Sequence, residues 1–177
     1  MVSAREAPEV LLSQAQVAEK VKSVARRLAP LTDEATVAVC LLTGGLWFAA
    51  DLTRALARLG RFLAFDALWL ASYGDDQTSG GDCEVRAGLQ RPLARRRVLI
   101  IDDVIDTGLS LAQAARLIEA AGASEIRSVV FARKPWPGPR AMEPDFVAWE
   151  APPRFLVGYG MDKAGRFRGL PYVGAGD

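Results

Sequence analysis

Apolar and polar positions along the chain switch between two periods, and the switches mark its elements. Val10, Val17, Val21, Val24, Ala25 and Leu28 fall on roughly one helical face with charges between them, so residues 10–28 are expected to form a first helix. Ser13 or the residues near Pro8 would cap it, and Pro30 with Thr32-Asp33 would break it. Residues 36–42 are a continuous apolar run with β-branched side chains, the pattern of a buried strand. Thr43-Gly44-Gly45 then turns the chain into a helix over 46–59, closed by Gly60. Strands are expected over 62–70, 98–101 and 125–132, with an Ala-rich helix over 111–121 ended by Gly122. Shorter strands follow over 146–149 and 155–158. Strand and helix in this alternation predict an α/β domain: a mostly parallel twisted sheet with helices on both faces.

Two stretches depart from this rhythm. Residues 71–89 are polar and glycine-bearing, and so long a segment without periodicity inside a domain reads as a mobile functional loop. The other is Val98-Leu99-Ile100-Ile101-Asp102-Asp103-Val104-Ile105-Asp106-Thr107-Gly108-Leu109-Ser110. Here a buried strand runs into two adjacent carboxylates, at the strand end where open α/β sheets bind ligands. Asp106 to Ser110 would follow as a tight loop whose N–H groups and hydroxyls converge on an anion, beside the positive end of the next helix. The competing reading is structural, with Asp106 or Thr107 merely capping that helix. Carboxylates for a polyol or hydrated metal beside a phosphate nest suggest a ribose phosphate.

Composition narrows the chemistry. The chain has 177 residues, half of them hydrophobic, enough for one well-cored domain spanning 1–177. It contains no histidine, which excludes Ser-His-Asp and Cys-His catalysis and His-ligated metals. A net charge of +1 gives no strong pull toward nucleic acid or an anionic membrane. Cys40 and Cys83 match no disulfide framework or zinc motif, and no apolar stretch approaches membrane-spanning length, so a cytoplasmic protein is expected.

The signature resembles the phosphoribosyl-pyrophosphate (PRPP) motif of type I phosphoribosyltransferases, with Asp102 where Glu is commoner. Much of the chain from about Val37 to Val173 is similar to the hypoxanthine-guanine branch. Leu42-Thr43-Gly44-Gly45 is similar to its pyrophosphate loop, Ser72-Tyr73 to a pair on its mobile active-site loop, and Lys134-Pro135 to its lysine after a late strand. Asp145-Phe146-Val147, Phe155 to Asp162 and Phe167 to Gly174 resemble its C-terminal purine-binding hood, placed near 145–177.

The resemblance implies a role for each matching residue. Asp102 and Asp103 would hold the ribose hydroxyls, directly or through Mg²⁺. Asp106, Thr107, Gly108, Leu109 and Ser110 would cradle the 5′-phosphate, and Asp106 would act as acid or base near purine N7. Lys134 would donate to O6 of a 6-oxopurine, Phe155 would stack on the base, and Leu156 would offer backbone groups to its edge. Asp162 would place a second Mg²⁺. Arg168, with Thr43 and Gly44, would bind pyrophosphate. The implied reaction is purine salvage with Mg²⁺, by a homo-oligomer (dimer or tetramer) with small-molecule partners and neither nucleic acid nor membrane. Many relatives carry a basic residue at the position of Thr43 and a lysine at that of Leu109, so a weaker hold on PRPP is implied here. The alternative is a pyrimidine-operon regulator of the same fold. That function needs a basic RNA-binding face, which the net charge and Thr107 argue against.

Overall fold

In a computed structural model, the chain is described over residues 7–71 and 84–176. The elements are β1 (Glu9–Leu12), α1 (Gln14–Leu28), a 3₁₀ turn (Ala29–Leu31), β2 (Thr36–Leu42), α2 (Leu46–Arg58), β3 (Ala64–Ala71) and β4 (Glu84–Ala87). They continue as β5 (Arg97–Ile105), α3 (Leu109–Ala120), β6 (Glu125–Arg133), β7 (Phe146–Glu150), β8 (Leu156–Val157) and β9 (Val173–Ala175).

Six strands form the main sheet in the order β4-β3-β2-β5-β6-β7. All neighbours are parallel except β4, which runs antiparallel to β3. The unbroken apolar runs of β2 and β5 are explained by burial on both faces. Ala38, Cys40, Leu99, Ile101, Val129 and Phe131 pack under α1 and α2. Val37, Val39, Val98, Ile100 and Val130 pack on the opposite face with Leu111, Ala114 and Ile118 of α3. The expected α/β architecture, with helices on both faces of a mostly parallel sheet, is therefore present.

Three boundaries differ from the sequence reading, each because a long-range partner intervenes. The first helix starts at Gln14, not Val10: Ser13 caps it in a reciprocal box with Gln16, and β1 pairs antiparallel with β9. The strand expected to end before the carboxylates continues through Asp102 and Asp103 to Ile105, because β6 pairs along it as far as Ile105↔Arg133. Within the segment 71–89, Glu84–Ala87 is strand β4. Its return to β5 is pinned by the buried Asp66 carboxylate, which accepts from the backbone N–H groups of Gln90 and Arg91 at 2.9 and 2.8 Å. Ser72 and Tyr73 lie outside the described residues.

A second, three-stranded sheet, β1-β9-β8, stands beside the first and forms the hood. It draws on the N-terminal strand as well as the C-terminal residues, and β7 belongs to the main sheet.

Candidate active site

Strand order places the site. From β2 the chain moves outward to β3; from β5 it moves the other way to β6, while β2 and β5 are neighbours. The loops leaving their carboxyl ends therefore diverge, and the crevice between them is where open α/β sheets take ligands. Thr43 and Gly44 leave β2 there, Asp102 and Asp103 lie near the carboxyl end of β5, and Asp106 leaves that strand.

Asp102 and Asp103 line different cavities, with their side chains within hydrogen-bonding reach of each other. Asp102 lines a cavity of about 170 Å³ with Asp106, Thr107, Gly108, Leu109 and Ser110. Asp103 lines an adjoining cleft of about 160 Å³ with Asp106, Lys134, Phe155, Leu156 and Asp162. Burial pushes both carboxyls above the usual carboxylate range, and the charge of Asp103 pushes Asp102 further. Arg168 opposes the rise at Asp103. Such a pair is poised to receive a cation or hydroxyl donors.

A stability consequence follows. Below the ordinary carboxylate pKa of about 3.9, Asp102 is protonated in folded and unfolded chains alike and costs nothing. As pH rises toward its raised folded value, the unfolded chain gives up the proton first and stability falls. Asp102→Asn is expected to raise Tm at neutral pH, each kcal/mol gained reading as roughly 2–4 °C. The gain should vanish in acid. A Tm difference independent of pH would contradict the buried-charge assignment.

The 106–110 loop has the form of an anion cradle. Gly108 is the α3 N-cap with φ 76°, and it has no side chain to cap the helix. Thr107 Oγ1 accepts weakly from the first helical N–H, that of Leu109, at 3.4 Å, so the structural reading holds in part for Thr107; Ser110 and the other first-turn residues line the cavity. A Cβ at Gly108 would lie 2.4 Å from the Met142 carbonyl oxygen, so glycine also lets the 137–144 loop pack on the cradle.

In the adjoining cleft Lys134 Nζ lies 3.3 Å from Asp106 Oδ1. Phe155 is 48 % exposed, free to present a ring face to a planar ligand, while Leu156 is buried in β8. Asp162 is paired with Arg168 at 2.6 Å, and Arg168 also donates to the Gly160 carbonyl at 2.6 Å. The hood is anchored to the β2–α2 loop and helix: buried Tyr159 donates to Asp51 of α2 at 2.9 Å, and Gly160 backs directly onto Gly44. A Cβ at Gly160, where φ is 103°, would lie 2.1 Å from the Gly44 carbonyl oxygen. Gly160→Ala is thus expected to cost about 1–3 kcal/mol of stability, read by thermal unfolding. A wild-type Tm would show that the contact relaxes freely.

Asp102, Asp103, Asp106 to Ser110, Lys134, Phe155, Leu156 and Asp162 line these two cavities; Thr43, Gly44 and Arg168 do not, although Gly44 packs against Asp103 and Arg168 pairs with Asp162. Sequence reasoning missed Val104 and Met161 in the cleft wall and Tyr159 with Asp51 behind it. Apolar wall residues carry no distinguishing local signal, and the Tyr159–Asp51 bond joins residues 108 apart in sequence. A larger cleft of about 480 Å³ opens on the hood beside Arg154, Lys163 and Arg166, but none of the residues lining the two smaller cavities lines it. Chemistry, not volume, selects the smaller pair.

A carboxylate pair at the switch point, a glycine-capped helix N-terminus and an adjoining cleft for a planar ligand together define a site for a sugar phosphate and a second substrate. Residues 11–164 match the phosphoribosyl transferase domain, and the chain belongs to that family. It is 35 % identical over 167 residues to the hypoxanthine-guanine phosphoribosyltransferase of Bacillus subtilis, covering 94 % of this chain and 91 % of the relative. The Mycobacterium bovis enzyme of the same name is 31 % identical, with 92 % and 79 % covered. A crystal structure of hypoxanthine phosphoribosyltransferase from Staphylococcus aureus superposes with TM-score 0.88 at 27 % identity, covering 99 % of this chain and 95 % of that one.

Proposed function

We propose that the protein transfers the phosphoribosyl group of PRPP to a 6-oxopurine, hypoxanthine or guanine, releasing pyrophosphate and the nucleoside 5′-monophosphate. The observation that carries this is the adjacency of the two cavities, one suited to phosphate and one to a planar base, which share Val104 and Asp106 at the wall between them.

The residues divide the work. The N–H groups of 107–110 and the Ser110 hydroxyl hold the 5′-phosphate, and Asp102 and Asp103 hold the ribose hydroxyls. Thr43 and Gly44 offer backbone N–H groups to pyrophosphate. Arg168 can trade Asp162 for pyrophosphate while keeping its bond to Gly160. The base stacks on Phe155 with its edge along Leu156, and O6 accepts from Lys134. Asp106 receives the proton that the purine sheds at N7 as the new glycosidic bond forms. The Lys134–Asp106 ion pair must open to admit the base, so the two side chains exchange each other for the purine's O6 and N7.

The donor set fits Mg²⁺. Asp102, Asp103 and Asp162 are hard oxygen ligands, and the described residues hold no cluster of three candidate ligands. That suits an ion that keeps its waters and leans on substrate phosphates. Asp102 and Asp103 would hold one ion and Asp162 a second. When bound, Mg²⁺ neutralises the charge that builds on departing pyrophosphate.

No helix among the described residues is long and apolar enough to cross a membrane. Cytoplasmic location and a dimeric or tetrameric state remain part of this reading, as the resemblance implies. Calorimetric titration with PRPP tests it: tight binding with Mg²⁺ and much weaker binding in EDTA are expected. Failure to bind PRPP in either condition would overturn it.

A further inference from the structure

Arg140 lies in the Pro-rich loop after β6. Its side chain is only 8 % exposed, yet it meets neither cavity. Its guanidinium joins two separate segments of the site. Nε donates to the backbone carbonyl of Asp106 at 2.7 Å, and Nη2 donates to the backbone carbonyl of Lys134. Nη1 faces Glu143 Oε1 at 2.8 Å. The neighbouring Ala141 N–H donates to the Thr107 carbonyl at 2.9 Å, so the loop and the phosphate cradle are laced together.

Asp106 and Lys134 are thus linked twice: by their side-chain ion pair and by Arg140 through their main chains. A purine bound between them breaks the first link. The second survives, because Arg140 uses carbonyls and not the side chains that read the base. Nε and Nη2 form one edge of a rigid planar fork, which fixes the separation of two carbonyls. A lysine ammonium has no such edge.

We propose that Arg140 is a positioning residue for base recognition, holding Asp106 and Lys134 at the spacing of purine N7 and O6 once their ion pair has opened. This rests on the reading of Asp106 and Lys134 as the two groups that face the base.

A double-mutant cycle tests it. Arg140→Met and Arg140→Lys are expected to lower kcat/KM for hypoxanthine by about 10²-fold, the cost of an ångström-scale misplacement, with a much smaller change in KM for PRPP. On a Lys134→Gln background the Arg140→Met penalty should shrink, because one of the clamp's two targets no longer reads the base. Methylguanidinium should restore part of the activity of Arg140→Ala. If Arg140→Met proves unfolded, Arg140→Lys and the rescue carry the test. Full activity in Arg140→Lys, a penalty undiminished on the Lys134→Gln background, or no rescue of a folded Arg140→Ala would overturn the proposal. A Lys134→Gln change that alone leaves purine kinetics untouched would instead refute the role of Lys134.

Discussion

Asp106→Asn is expected to lower kcat by about 10²–10⁴-fold, the usual worth of one general acid–base group, while leaving the fold and PRPP affinity close to wild type. The amide keeps the size of the carboxylate and can still accept hydrogen bonds, but it cannot take the purine's proton. The structure separates these effects well. The Asp106 side chain is 46 % exposed and its ionic partner is Lys134 at 3.3 Å, so the pair adds little to stability. The backbone of Asp106 stays held by Arg140. Single-turnover kinetics across pH, with thermal unfolding alongside, provide the check. Turnover equal to wild type at every pH would remove Asp106 from the chemistry.

Lys134→Gln is expected to change base choice. An ammonium only donates, so in the proposed reading Lys134 satisfies O6 of hypoxanthine or guanine and opposes the 6-amino group of adenine. Sites built for one hydrogen-bond pattern reject the reverse by orders of magnitude, about 10⁴–10⁵ in strong cases. Glutamine can donate or accept. Hypoxanthine turnover should fall, since a neutral bond is worth roughly half a charge-assisted one, and discrimination against adenine should shrink. The ratio of kcat/KM for hypoxanthine to that for adenine, measured in both proteins, is the informative number. An unchanged ratio would move base choice to the hood residues Phe155 to Asp162.

Much of this site was legible before any coordinates. The PRPP-like signature places its own strand, loop and helix within a dozen residues, so local pattern suffices to align Asp102, Asp103 and the cradle. The same holds for β2 and its loop at Thr43-Gly44. What sequence could not supply depends on distant pairing. Residues 10–12 look helical by spacing, and only β9 makes them part of a strand. The expected strand stopped at Ile101 because carboxylates read as a boundary, whereas β6 carries the pairing on to Ile105. The hood is implied by the resemblance of residues 145–177, not by local pattern, and its sheet needs the N-terminal strand. Arg140 showed no sign of its role, because its partners are backbone carbonyls, which every residue has. The alternative of an RNA-binding regulator gains nothing from the fold, and the similar proteins carry salvage-enzyme names.

The central claim is that the two adjoining cavities transfer a phosphoribosyl group to a 6-oxopurine. It is tested most directly by incubating the protein with PRPP, Mg²⁺ and each of hypoxanthine, guanine, adenine and uracil, and separating products by chromatography. The account predicts inosine and guanosine 5′-monophosphates, each matched mole for mole by pyrophosphate, and adenosine monophosphate slower by orders of magnitude. No nucleotide from either 6-oxopurine, or faster formation from uracil or adenine, would contradict it.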